Sequence, residues 1–123
     1  MGIKVMCEDI SLAERYVAKA KSSRDRGIEF NLTFSEYKRL SKIKRCQYTG
    51  IVFSEYHNGS PKNENTMRTL ERIDNSKGYI KGNVVAVCKS INGIKSMWEN
   101  PSNPITMDLV LKTITRINKH LNE

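Results

Sequence analysis

The stretch TLERIDNSKGYIKGNVVAVCKSINGIK, residues 69–95, decides the fold. Thr69-Leu-Glu-Arg-Ile73 alternates apolar and polar side chains, the period of a half-buried strand. Asp74-Asn-Ser-Lys-Gly78 is made of turn formers, and Val84-Val-Ala-Val87 is a β-branched run. Two antiparallel strands joined by a wide loop are therefore predicted. From Cys88 to Trp98, Ile91, Ile94 or Lys95, and Trp98 recur at helical spacing before Pro101 and Pro104 break the chain. Gly78-Tyr79 and Gly82-Asn83 frame the loop, where glycine permits left-handed or crowded backbone and Tyr79 anchors it by packing. On periodicity alone, a plain β-hairpin with solvated charges is the simpler reading.

Outward from this segment the chain reads as helices. Ser11-Leu-Ala-Glu14 has the capping-box form and opens a helix running to about Arg26. Ala13, Tyr16, Val17 and Ala20 recur at helical spacing, while Arg15, Lys19, Arg24 and Arg26 fall largely elsewhere, leaving a basic face. After Gly27, Thr33-Phe-Ser-Glu36 repeats the capping signature before Phe34, Tyr37 and Leu40, a second helix ending near Lys44. Ile51-Val-Phe53 reads as a short strand, and the polar run from His57 to Asn65 as an exposed loop. Thr106 precedes Met107, Val110, Leu111, Ile114, Ile117 and Leu121, an apolar stripe expected to close the core, with Lys112, Arg116 and Lys119 on other faces. The expectation is one α+β domain over residues 1–123: a helical part over 1–45, a hairpin-plus-helix core over 46–98 and a C-terminal helix over 105–122.

At 123 residues, such a domain buries roughly two-thirds of its unfolded surface. With 38% hydrophobic and 28% charged residues, no run approaches a membrane span. The first residues lack the apolar core of a secretory signal, so a cytoplasmic protein is expected. Cys7, Cys46 and Cys88 form no CxxC pair, which points to reduced thiols. Twenty-one Lys and Arg against 13 Asp and Glu leave +8, an excess that favours nucleic acid through phosphate neutralisation, or that simply keeps a small protein soluble.

RGIEFNLTFSEYKRL, CQYTG and LERIDNSKGYIKGNVVAVCKSINGIK, between about Arg26 and Lys95, together resemble the phage and bacterial HNH (ββα-metal) endonuclease pattern. The combination of ERID, GY, NVV and N-x-x-K exceeds what a plain hairpin requires. The resemblance implies a ββα-metal core flanked by terminal helices, and hydrolysis of DNA, double-stranded by preference, in a bacterium or phage-infected cell. It implies Mg²⁺ or Mn²⁺ held by Glu71 from the first strand and Asn92 from the helix, oxygen donors that suit a hard cation. Asn83 corresponds to the family's middle Asn, which braces the long loop. Lys95, three residues after Asn92, shares its helical face and is assigned to phosphate, with Lys89, Arg68 and Lys77 adding to that field.

Three departures from the pattern matter. Arg72 stands where the family usually places a His base, and a guanidinium stays protonated. Arg72 is instead assigned to phosphate or transition-state charge, with Asp74 or a metal-bound hydroxide as base; His57, in the polar loop, is another candidate. The two zinc knuckles are reduced to Cys46-Gln-Tyr-Thr49 and Cys88-Lys-Ser-Ile91, so no structural zinc is expected. Cys46 and Cys88 are expected close together as buried thiols, with Ile91 adding apolar packing. Finally, Glu71 stands where Asp is commoner, which relaxes ligand geometry. The leading function is a metal-dependent DNA endonuclease; the alternatives are a non-catalytic nucleic-acid-binding protein on the same scaffold, or a module binding a host factor. Oligomeric state is not legible.

Overall fold

The structure, a computed structural model, describes residues 2–57, 60–61 and 64–123, with side-chain surroundings for 8–55 and 64–123. Among the described residues it is a mixed α+β fold with four α-helices. These are α1 (Gly2–Asp25), α2 (Phe34–Ser41), α3 (Lys89–Glu99) and α4 (Met107–Leu121). Strands β3 (Arg68–Arg72) and β4 (Val84–Cys88) pair antiparallel, with Arg68 opposite Cys88, Leu70 opposite Ala86 and Arg72 opposite Val84. The expected strand, strand, helix order is present, and β4 runs directly into α3 with Cys88 as the capping residue.

Helix α1 begins at Gly2 rather than at the Ser11 capping box. Nothing between Ile3 and Ile10 breaks a helix, and once nucleated a helix propagates through a Ser as readily as it starts from one. Helix α2 starts where expected: Thr33 accepts a hydrogen bond from the Glu36 amide at 3.2 Å. It ends at Ser41, with Lys42 as its C-cap. The expected Ile51–Phe53 strand reduces to one bridge between Arg45 and Val52, with Phe53 buried beside it. Conversely, the expected loop contains a small hairpin, β1 (Tyr56–His57) on β2 (Ser60–Pro61).

Two apolar clusters share Ile43 and Leu70. Phe53, Ala86 and Val87 gather with Cys46 and Cys88 on one side, and Leu32, Leu40, Tyr79 and Val84 on the other. As expected, Cys46 and Cys88 are buried free thiols with Ile91 packed against their cluster. The Cys46 sulfur accepts hydrogen bonds from the Cys88 amide at 3.3 Å and the Thr49 amide at 3.4 Å. Burial would push the Cys46 thiol up, but bonds from Thr49, Cys88 and Tyr48 outweigh it and bring its pKa to about 7.

The expectation for α4 is corrected. The helix is present with Thr106 as its cap, yet none of its residues is buried. Ile114 is 55% and Leu121 78% exposed. The two core clusters are built from other elements and include no residue of α4, so its apolar stripe joins neither. Ile114→Ser should accordingly change unfolding free energy by less than about 0.5 kcal/mol in a urea titration, the range of ordinary surface substitutions.

No described helix is long and apolar enough to cross a membrane.

Candidate active site

The loop from Ile73 to Asn83 is pinned from both sides. Asn83 is buried, and its side chain accepts from the Asp74 amide at 2.9 Å while donating to the carbonyls of Asp74 and Gly78, each at 3.0 Å. Three bonds from one amide close an eleven-residue loop, so Asn83 braces that loop. Gly82 adopts a φ of 87°, the left-handed region that favours glycine. At Gly78 the constraint is space: a β-carbon there would collide with the Glu29 backbone. That close approach lets the Tyr79 amide donate to Glu29 at 2.8 Å and the Asn31 amide donate to Tyr79 at 2.9 Å. Asn83→Ala should cost about 2–3 kcal/mol, since it orphans buried backbone groups at both ends of the loop; chemical denaturation measures it.

Beside this loop lies an open cleft of about 490 Å³ between β3, α3 and the end of α1. Glu71 and Arg72 enter it from β3, and Asn92 and Glu99 from α3. Glu71 is 6% exposed, and its Oε2 is buried with no hydrogen-bond partner among the described residues. Its other oxygen lies 3.5 Å from the Lys95 ammonium. Lys95 is more closely bound elsewhere, to Glu99 at 2.6 Å and to the Arg72 carbonyl at 3.0 Å. Burial therefore pushes the Glu71 carboxyl above the ordinary glutamate value, Glu99 adds repulsion, and Lys95 compensates only in part.

The other residues singled out from sequence are dispersed. Arg72 Nη1 donates to the carbonyls of Asn75 at 2.9 Å and Lys77 at 3.0 Å, so it also helps shape the loop. Asp74 is exposed and accepts from the Ser76 hydroxyl at 2.6 Å and its amide at 3.0 Å; these bonds hold its carboxyl below the usual range and make it a weak base. Arg68 points to a neighbouring cleft, bonded to the Ile43 carbonyl and to Glu55 at 3.1 Å. Lys89 pairs with Glu64 at 3.0 Å, and Lys77 is exposed on the loop. Lys95, assigned to phosphate, is buried among carboxylates. The His57 side chain lies outside the described residues.

Comparison with known proteins adds relatives without an assigned activity. The chain is 40% identical over 75 residues, 61% of its length, to an uncharacterized 29.0 kDa protein of Enterobacteria phage T4. It is 27% identical over 119 residues, 97% of its length, to an uncharacterized protein of Acanthamoeba polyphaga mimivirus. The chain spans only 28% and 20% of these relatives. No family model and no solved structure matches it.

Sequence reasoning missed three participants. Glu99 lies seven residues after Asn92 and four after Lys95, so all three share a helical face, a signal that was available. Lys19 from α1 and Arg26 from the turn that follows it reach the same cleft, more than forty residues away in sequence, by packing alone. Lys19 sits 4.5 Å from the centre of the Tyr79 ring, and Arg72 lies 5.4 Å from the same ring. Burial would push the Tyr79 phenol up, but hydrogen bonding and attraction from Lys19 and Arg26 outweigh it and lower its pKa.

Among the described residues, no three His, Cys, Asp or Glu side chains come together as a metal site. The cleft nevertheless offers an unpartnered buried Glu71 oxygen, the Asn92 amide and the Glu99 carboxylate. Such an all-oxygen set suits a hard divalent ion that keeps several of its waters.

Proposed function

We propose that this chain is an HNH-type endonuclease that hydrolyses DNA phosphodiester bonds with Mg²⁺ or Mn²⁺, acting in a bacterial or phage-infected cell. The observation that carries the reading is the buried, half-satisfied Glu71 carboxylate, set in a cleft whose other walls hold Asn92, Glu99 and the cations Lys19, Arg26 and Arg72. A carboxylate costs free energy when buried short of partners, and such groups concentrate at functional sites.

Glu71 and Asn92, with Glu99, would hold the ion, which supplies Lewis-acid stabilisation of charge on the phosphate and leaving oxygen. Arg72, tied to its loop through Nη1, presents a permanent positive charge at the cleft wall and cannot accept a proton. Lys95 holds Glu99 and Glu71 in place through ion pairs at 2.6 and 3.5 Å. Asn83 keeps the loop carrying Asn75 against the cleft edge.

A second reading, a DNA-binding protein on the same scaffold without catalysis, draws on one observation: the Lys95 ammonium already sits between Glu71 and Glu99 and neutralises part of their charge. Incubation of supercoiled plasmid with protein and Mg²⁺ or Mn²⁺ separates the two. Metal-dependent nicking that disappears in Glu71→Ala and Asn92→Ala supports the nuclease; an intact plasmid that all three proteins still shift in a gel supports the binding protein.

A further inference from the structure

Arg15, Lys19 and Arg26 stand at i, i+4 and i+11 along α1 and the turn that ends it, so at 3.6 residues per turn they fall within about 40° of one another. Arg15 and Lys19 line one cleft beside β3, together with Arg68 and Thr69. Lys19 and Arg26 line the next, the cleft of Glu71 and Asn92, and Thr69 and Leu70 are common to both. We infer that this face of α1 is a track for the backbone of a DNA strand, leading its phosphates along β3 into the Glu71 cleft.

Among the described residues none of these three cations is held by a carboxylate, a state they share with others such as Arg24 and Lys77 but combine with lining the two clefts beside β3. Lys38, Arg68, Lys81, Lys89, Lys95 and Lys112 each have a carboxylate within ion-pair distance. Glu55, the acid of the first cleft, is taken up by Arg68 at 3.1 Å. Three adjacent cations left without counter-charges on a +8 chain form an anion site, and their row spans about 16 Å at 1.5 Å per residue. At 3.4 Å of rise per nucleotide on one strand, that covers about five nucleotides.

The row is also held rigidly. Tyr16, on the same helix between Arg15 and Lys19, donates its hydroxyl to the Leu32 carbonyl. Its ring meets Phe30, Phe34 and Tyr37 at centroid distances of 5.4 to 5.6 Å. That anchor fixes the rotation of α1 and hence the direction of its basic face. Lys19 rests against Tyr79, which belongs to the pinned loop.

The inference rests on the nuclease reading only for what the strand is delivered to; the track itself is a statement about binding. The test is therefore made in EDTA, where cleavage is suppressed, with a fluorescent DNA duplex and a series of salt concentrations. Arg15→Gln, Lys19→Gln and Arg26→Gln should each weaken binding severalfold and reduce the slope of log K against log salt by about one. Lys19→Arg should restore both. Arg24→Gln, about 180° around the helix from Arg15, should change neither. Arg15 and Arg26 are exposed, so their variants carry the test even if Lys19→Gln misfolds.

Unchanged slopes in the three variants overturn the track, as does an equal loss from Arg24→Gln or a wild type that does not bind duplex. Plasmid nicking with Mg²⁺ is scored separately. Nicking with unchanged slopes sinks the track and leaves the nuclease, whereas reduced slopes without nicking sink the nuclease and leave the track.

Discussion

Lys95→Met is expected to destabilise the chain by about 3–5 kcal/mol, the cost of removing one partner from a buried ion cluster. The Lys95 ammonium bonds Glu99 at 2.6 Å, the Arg72 carbonyl at 3.0 Å and Glu71 at 3.5 Å. The three side chains are 10%, 14% and 7% exposed, so solvent screens little of the interaction. Without the ammonium, two largely buried carboxylates lose their shared counter-charge and the Arg72 carbonyl loses its donor. Glu99→Gln added to Lys95→Met should recover part of the loss, because it removes one of the stranded charges. Urea denaturation measures both, and a Lys95→Met variant as stable as wild type would contradict the account.

The same cluster fixes a pH dependence. Burial disfavours the Lys95 ammonium, but the Glu99 hydrogen bond and attraction to Glu71 and Glu99 outweigh it, so its pKa is raised above 10.5. A cation with a raised folded-state pKa contributes stability that is complete below its unfolded value and disappears as pH rises through its folded value. Wild type should therefore lose stability in strongly alkaline solution by an increment that Lys95→Met lacks.

Local grammar made much of this architecture readable. The alternation of Thr69–Ile73, the β-branched Val84–Val87 and the turn formers between them specify the hairpin through nearest-neighbour physics, and β3 and β4 form within a residue of the expected bounds. Asn83 and the Cys46–Cys88 proximity were readable because the resemblance supplied their spacing. What sequence could not supply was non-local. Nothing in residues 11–26 indicates which element Tyr16 will lean on, and that contact decides where Lys19 and Arg26 point. Lys95 shares a helical face with Asn92, but helical spacing says which residues share a face, not whether the face is wet. Helix α4 makes the same point in reverse, since its apolar stripe predicts a partner without naming one, and this fold leaves the stripe exposed.

Glu71→Gln is expected to do two things at once: if the chain is the nuclease proposed above, reduce metal-dependent nicking by about 100-fold or more, the scale of losing one preorganised electrostatic group, and raise thermal stability. The second effect follows from the cleft. Burial and Glu99 raise the Glu71 pKa above 4.5 despite Lys95, so the ionised form is less favourable folded than unfolded. A carboxyl whose folded pKa is raised favours the folded state below its unfolded value and loses that advantage as pH rises through the folded one. At neutral pH Glu71 is therefore a net cost, and the isosteric amide removes it while still offering Lys95 an oxygen. The melting temperature should rise at neutral pH, and the gain should shrink as pH falls through the raised folded-state value and be gone below 4.5. A residue kept for structure gives the opposite result, with stability and activity falling together. Lost nicking in a more stable protein would mark Glu71 as a group retained for chemistry at the expense of the fold.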